Sequence, residues 1–130
     1  MTIEWHYTAE AHLGILSVSG YLGQDAVRRF DGAVGWVVAR GTGPVVVDLT
    51  QLRSWSAEGQ LAIVHAAQRL AVGGRELELA AIPADGSLVP AGDGPPVRVH
   101  SDLAAALAAH GVRREDVEEG QTWRTDGWRG

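Results

Sequence analysis

The stretch from Pro44 to Gly59 constrains the fold more than any other, because within it an apolar run passes through a polar loop into helical periodicity. Val45, Val46 and Val47 are β-branched and suit a buried strand, and Pro44 fits only at its start. Asp48 and Thr50 carry side chains that can bond the backbone where the strand runs out. From Ser56 the spacing becomes helical, with Leu61, Val64, Gln68 and Ala71 on one face and Ile63, Ala67 and Leu70 beside them. Ser56 is a good N-cap, and Glu58 places a carboxylate in the first turn, where unpaired amides and the helix dipole favour negative charge. A strand, a short loop and a helix start form a frequent place for function in an α/β sheet, and as often a well-made turn and nothing more.

The rest of the chain extends this pattern. Ile3 to Thr8 and Leu13 to Ser19 read as strands of a hairpin, the second apolar on both faces and therefore buried. Gly20-Tyr21-Leu22-Gly23 is expected to break that strand ahead of a helix from Gln24 to Arg40, whose Val27, Phe30, Val34, Val37 and Val38 repeat at three and four. Gly32 and Gly35 inside it suggest close packing or local weakness. Gly41 to Pro44 ends that helix, and Gly73-Gly74 ends the next, from Ser56 to Val72. Glu76 to Ile82 and Pro96 to His100 read as further strands, and Ser101 is expected to cap a last helix ending at Gly111. Between them, residues 83 to 96 hold four Pro and three Gly, a loop of unusual length for a compact domain.

The order ββαβαβ-loop-βα predicts an α/β fold: a mixed sheet of four or five strands covered by helices, with right-handed crossovers between the parallel strands. Val45 to Val47 should lie inside the sheet, the first two helices should pack on one of its faces, and Val34, Val46, Leu61, Val64 and Leu79 should be buried together. A length of 130 residues suits one domain.

Composition narrows the function. Formal charge is -5 and Lys is absent, which removes Schiff-base chemistry and a phosphate loop of the Lys type. The longest Arg cluster is a pair, so nucleic acid is disfavoured. Cys is absent, which removes disulfides, thiol catalysis and thiolate metal sites. The N-terminus lacks the pattern of a secretory signal and no run of eighteen apolar residues occurs, so the reading is a cytoplasmic protein without a membrane association. Abundant Ala, Gly, Val and Arg fit a coding sequence rich in G and C.

Candidate chemistry is sparse. His6, His12, His65, His100 and His110 never fall one helical turn apart, so no metal site is expected. A Ser-His-Asp set drawn from Ser56, His65 or His100 and Asp48 lacks the Gly-x-Ser-x-Gly elbow that would hold its nucleophile. Gly20 to Gly23 has the wrong spacing for a dinucleotide loop. Trp55 is either an exposed anchor for a partner or a ring packed under the loop.

Taken together, Val45-Val46-Val47-Asp48-Leu49-Thr50, a five-residue loop and Ser56-Ala57-Glu58-Gly59 resemble the STAS domain, the fold shared by bacterial anti-sigma factor antagonists and the cytoplasmic tails of sulfate transporters. The resemblance covers about residues 5 to 112. It includes Val18-Ser19-Gly20-Tyr21-Leu22, similar to the family's strand ending in Gly, an acidic residue and Leu, and the closing strand and helix from Val97 to His110. It implies a STAS-like domain over 1–112 and a C-terminal tail over 113–130. The departures lie at the family's switch. In the antagonists the second helix begins with Asp-Ser, and that Ser is phosphorylated by a kinase that is also the anti-sigma factor. Here Ser56 stands at the Asp position and Ala57 at the acceptor position, Tyr21 replaces the acidic residue after Gly20, and Gly23 replaces the Asp after Leu22. The Pro/Gly loop replaces the helix expected after the fourth strand.

The resemblance therefore implies no enzyme and no cofactor. It implies an interaction module related to the anti-sigma factor antagonists, involved in transcription regulation and signalling, without the usual phosphorylatable Ser. Its partner surface would comprise Tyr21, Gly23, Ser54, Trp55, Ser56, Ala57, Glu58 and Gly59, and its protein partner would be an anti-sigma factor with a kinase-like fold. The edge of the first hairpin would also allow a homodimer. The alternative is a small-anion or nucleotide binding module, in which the amides of Ala57, Glu58 and Gly59 face the ligand and Glu58 opposes it by repulsion.

Overall fold

Alternation along the valine run decides how the sheet is covered, because neighbouring residues of a strand face opposite ways. In the computed structural model, which describes residues 2–9, 12–83, 97–111 and the backbone of 121–124, β1 (Ile3–Ala9) and β2 (Gly14–Leu22) form an antiparallel hairpin. α1 (Val27–Val38), preceded by a single 3-10 turn, leads to β3 (Val45–Asp48), β4 (Leu52–Trp55) and α2 (Ala57–Val72). β5 (Leu77–Ala80), β6 (Arg98–His100), α3 (Leu103–Ala109) and β7 (Gln121–Arg124) complete the order. The α/β architecture read from the sequence is present. The sheet is wider than four or five strands, with seven in the order β6-β5-β3-β2-β1-β7 and β4 paired to β2.

The inner strands run parallel, with Ile15 opposite Val46, Val46 opposite Glu78 and Ala80 opposite His100. Val45 and Val47 face α1 and α2, in a cluster with Phe30, Val34, Val37, Ile63, Leu70, Leu77 and Leu79. Val46 faces the other way, into a smaller cluster with Leu13, Ile15, Ala80, Ala106 and Leu107 beneath α3. Burying side chains of this size stabilises the fold by about 1.5 to 3 kcal/mol each. The expected placement of the first two helices on one face and of the valines inside the sheet therefore holds. The expected joint burial does not, since Val46 is separated from Val34 and Leu79 by the sheet itself.

Leu61 and Val64 also depart from expectation: Leu61 is 52% exposed and Val64 is half-buried. The inner face of α2 is instead Gly59, Ala62, Ile63, Ala66, Ala67 and Leu70. Gly59 sets this phase, because a Cβ there would collide with the backbone carbonyl of Leu22, so only glycine lets the helix come so close. With that residue inward, the positions three, four, seven and eight further on follow it and Leu61 turns out.

Three boundaries differ for local reasons. β2 does not stop at Gly20 but continues to Leu22, with Gly20 at φ 100 and a register shift between Gly20 and Tyr21. The loop expected between Thr50 and Ser56 contains β4, which pairs with that extension of β2. The last helix is capped by Asp102, whose Oδ1 accepts from the Ala105 amide at 2.7 Å, and not by Ser101. Within the expected tail, β7 pairs antiparallel with β1, so the hairpin edge invoked for a homodimer is taken by the chain itself. The rest of that tail and nearly all of the Pro/Gly loop, 84–96, lie outside the described residues. No described helix is long and apolar enough to cross a membrane.

Candidate functional site

Where β3 ends, Asp48 Oδ1 accepts from the Thr50 amide at 3.1 Å and its hydroxyl at 2.6 Å, which turns the chain back into the sheet as β4. β4 delivers Ser56 to the start of α2. The Ser56 amide donates to the Leu22 carbonyl at 3.0 Å, and its extended backbone points Oγ at the Gly59 amide, 3.1 Å away. Ser56 is thus the N-cap that its sequence position predicts, and its hydroxyl is engaged in the helix.

The sequence-predicted partner residues divide around this cap. Ala57 and Glu58 are exposed in the first turn, and Tyr21, Ser54 and Ser56 are half-buried, with Tyr21 opposite Ser54 across β2 and β4. Gly23 lies buried against the Tyr21 ring, and Gly59 against Leu22. Trp55 is 6% exposed and packs inward with Leu22, Leu49 and Leu52, which decides between its two readings. Among the described residues its buried indole nitrogen has no hydrogen-bond partner, a cost of about 1 to 3 kcal/mol that the packing of the ring must offset. The presented surface is therefore Ala57 and Glu58 with the edges of Tyr21, Ser54 and Ser56, and Trp55, Gly23 and Gly59 support it from below.

These elements match known proteins. A family model described as "Mlab, STAS domain" matches residues 5–89. The chain belongs to the STAS domain family. The fold is that of the anti-sigma factor antagonist SpoIIAA in its unphosphorylated form, which overlays 83% of this chain and 99% of its own at a TM-score of 0.57 and 13% identity. A crystal structure titled Mglu overlays 65% of this chain and 20% of its own, at a TM-score of 0.49 and 16% identity. None of the curated proteins matches the sequence.

Elsewhere in this STAS domain, the hydrolase set imagined from the sequence is not assembled. Asp48 is occupied by Thr50, Ser56 by Gly59, and His65 is exposed on α2. His100 is drawn into a different group, which sequence spacing missed. Glu78 on β5 accepts from Nε2 of His100 at 2.6 Å and from Nε2 of His110 at 2.9 Å. Burial would push the Glu78 carboxyl up, but the hydrogen bonds and charge of the two imidazoles outweigh it and hold the group below its ordinary 4.5. The three residues lie 22 and 32 positions apart, so no local motif announces them.

Proposed function

We propose that this STAS domain is a non-enzymatic protein-interaction module of the cytoplasm, a divergent anti-sigma factor antagonist or a related regulatory subunit that lacks the phosphate switch. Its partner is a protein, an anti-sigma factor of kinase-like fold or its regulatory equivalent. The observation that carries this reading is the first turn of α2, where Ala57 is exposed at the position the family resemblance gives to the phospho-acceptor. A methyl group has no oxygen to phosphorylate. Ser56 keeps its hydroxyl, but that oxygen accepts from the Gly59 amide, and modifying it would remove the cap. A phosphate adds about -1.5 to -2 charge, and Glu58 supplies a permanent single charge in its place. Leu61 and Val64 continue from Ala57 along α2, so a partner meets an apolar strip beside one carboxylate.

The second reading, a small anion or nucleotide at the amides of residues 57 to 59, is disfavoured because the Gly59 amide is already bonded and Glu58 repels the ligand. Incubation with ATP and the candidate kinases of its own host, followed by mass spectrometry, tests the first. No phosphate is expected between Ser54 and Gly59, and the host anti-sigma factor should bind the wild type but not Leu61→Asp. Stoichiometric phosphate on Ser54 or Ser56 with release of the partner would overturn the reading. Nucleotide-dependent thermal stabilisation, lost in a variant at the helix start, would favour the second.

A further inference from the structure

Glu78, His100 and His110 are placed by three different elements, the middle of β5, the end of β6 and the C-terminus of α3. Their donor atoms all lie within 4.8 Å of one another. The Glu78 side chain is 2% exposed, against 10% for His100 and 17% for His110. Its place in β5 puts it on the face of Ala80, beside the apolar cluster under α3, where a leucine would be buried without any electrostatic penalty. The chain instead buries a carboxylate and turns the same ring nitrogen, Nε2, of both histidines toward it.

We propose that these three residues form a binding site for a zinc-class transition-metal ion. Two imidazoles and one carboxylate are a known donor set for Zn²⁺, with bonds of about 2.0 to 2.2 Å. Tetrahedral bonds of that length separate donor atoms by roughly 3.3 Å, whereas the hydrogen-bonded pairs stand at 2.6 and 2.9 Å. The donors must therefore part by about half an ångström to admit an ion. Both histidines sit where this is easiest, since His100 is the last residue of β6 and His110 is the C-cap of α3, followed by Gly111 at φ 67. The imidazoles are also the more exposed members, so an ion enters from their side. On binding, each Nε2 presents its lone pair, its proton moving to Nδ1 or leaving to solvent, and the ion's two charges replace those protons as partner to the buried carboxylate. Hard cations such as Mg²⁺ are not suited to two imidazoles. The site lies on the α3 side of the sheet, away from the start of α2, and the inference does not depend on what docks there.

The test is titration of the metal-stripped full chain with ZnCl₂, followed by calorimetry and thermal melting, and with CoCl₂, followed by visible absorption. One ion per chain is expected, with a melting temperature that rises with Zn²⁺, a tetrahedral Co²⁺ spectrum and no response to MgCl₂. A residue that merely supports a metal ligand is worth about 10- to 100-fold in affinity, so His100→Ala and His110→Ala should each lose at least that much, whereas His12→Ala and His65→Ala should bind as the wild type does. The wild-type Co²⁺ spectrum does not depend on any variant folding. Its absence, or equal Zn²⁺ affinity in folded His110→Ala, would overturn the site.

Discussion

The start of α2 and the Glu78 group lie on different sides of one sheet and are held by different means. At the start of α2 the groups that interact are close in sequence or belong to the backbone: the Asp48 turn, the Ser56 cap and the Leu22 carbonyl against Gly59. In the Glu78 group every contact is between side chains that the tertiary fold has brought together over 22 and 32 residues. The first arrangement tolerates changes in the exposed side chains it displays, because the backbone and the cap hold it. The second tolerates fewer, because Glu78 is buried and its carboxylate is held by the two imidazoles.

This contrast can be broken at several points. The largest effect is expected from Val46→Asp, which places a charge beneath α3 directly opposite Glu78 in the sheet. A loss of about 3 to 5 kcal/mol should be visible as unfolding at ordinary temperature by circular dichroism, and an unchanged melting temperature would show that the α3 face is not packed. Next is Gly59→Ala, where the added methyl meets the Leu22 backbone. About 2 to 3 kcal/mol is expected, measured by urea denaturation, and a neutral result would mean that α2 does not take its phase from that contact.

Ser56→Ala removes one cap bond and should cost about 1 kcal/mol, with no change in the sheet. The smallest expected effect sharpens the comparison most. Combining Ser56→Ala with Glu78→Gln should give the sum of the two single losses to within about 0.5 kcal/mol. A larger coupling in a double-mutant cycle would show that the two regions are not independent.

What could be read in the sequence lay in contiguous residues. The buried strand at Val45 to Val47, the cap at Ser56, the helix stops at Gly73 and Gly111, and the family membership all rest on signals spanning a few residues. The proposed partner surface was half legible in the same way: the exposed Ala57 and Glu58 follow from the cap, whereas the burial of Trp55 and Gly59 depends on β2, over 30 residues earlier. β4 was hidden because Leu52 to Trp55 is too short to show a period, and is a strand only because the end of β2 offers it hydrogen bonds.

The sequence by itself determined the α/β class and the order of the elements other than β4 and β7, because propensity, capping and composition act locally. Only the tertiary structure decided which of two apolar stripes on α2 turns inward, which face Val46 serves and where the polar groups of the interior meet. Arg75 shows the reason. Nothing near it in the sequence marks it as buried, yet its guanidinium donates to the carbonyls of Val37 and Arg40 at 2.9 Å and of Gly43 at 2.8 Å, closing the end of α1. Like Glu78 with His100 and His110, it is a polar group whose partners exist only after distant segments have packed, and a one-dimensional pattern carries no trace of them.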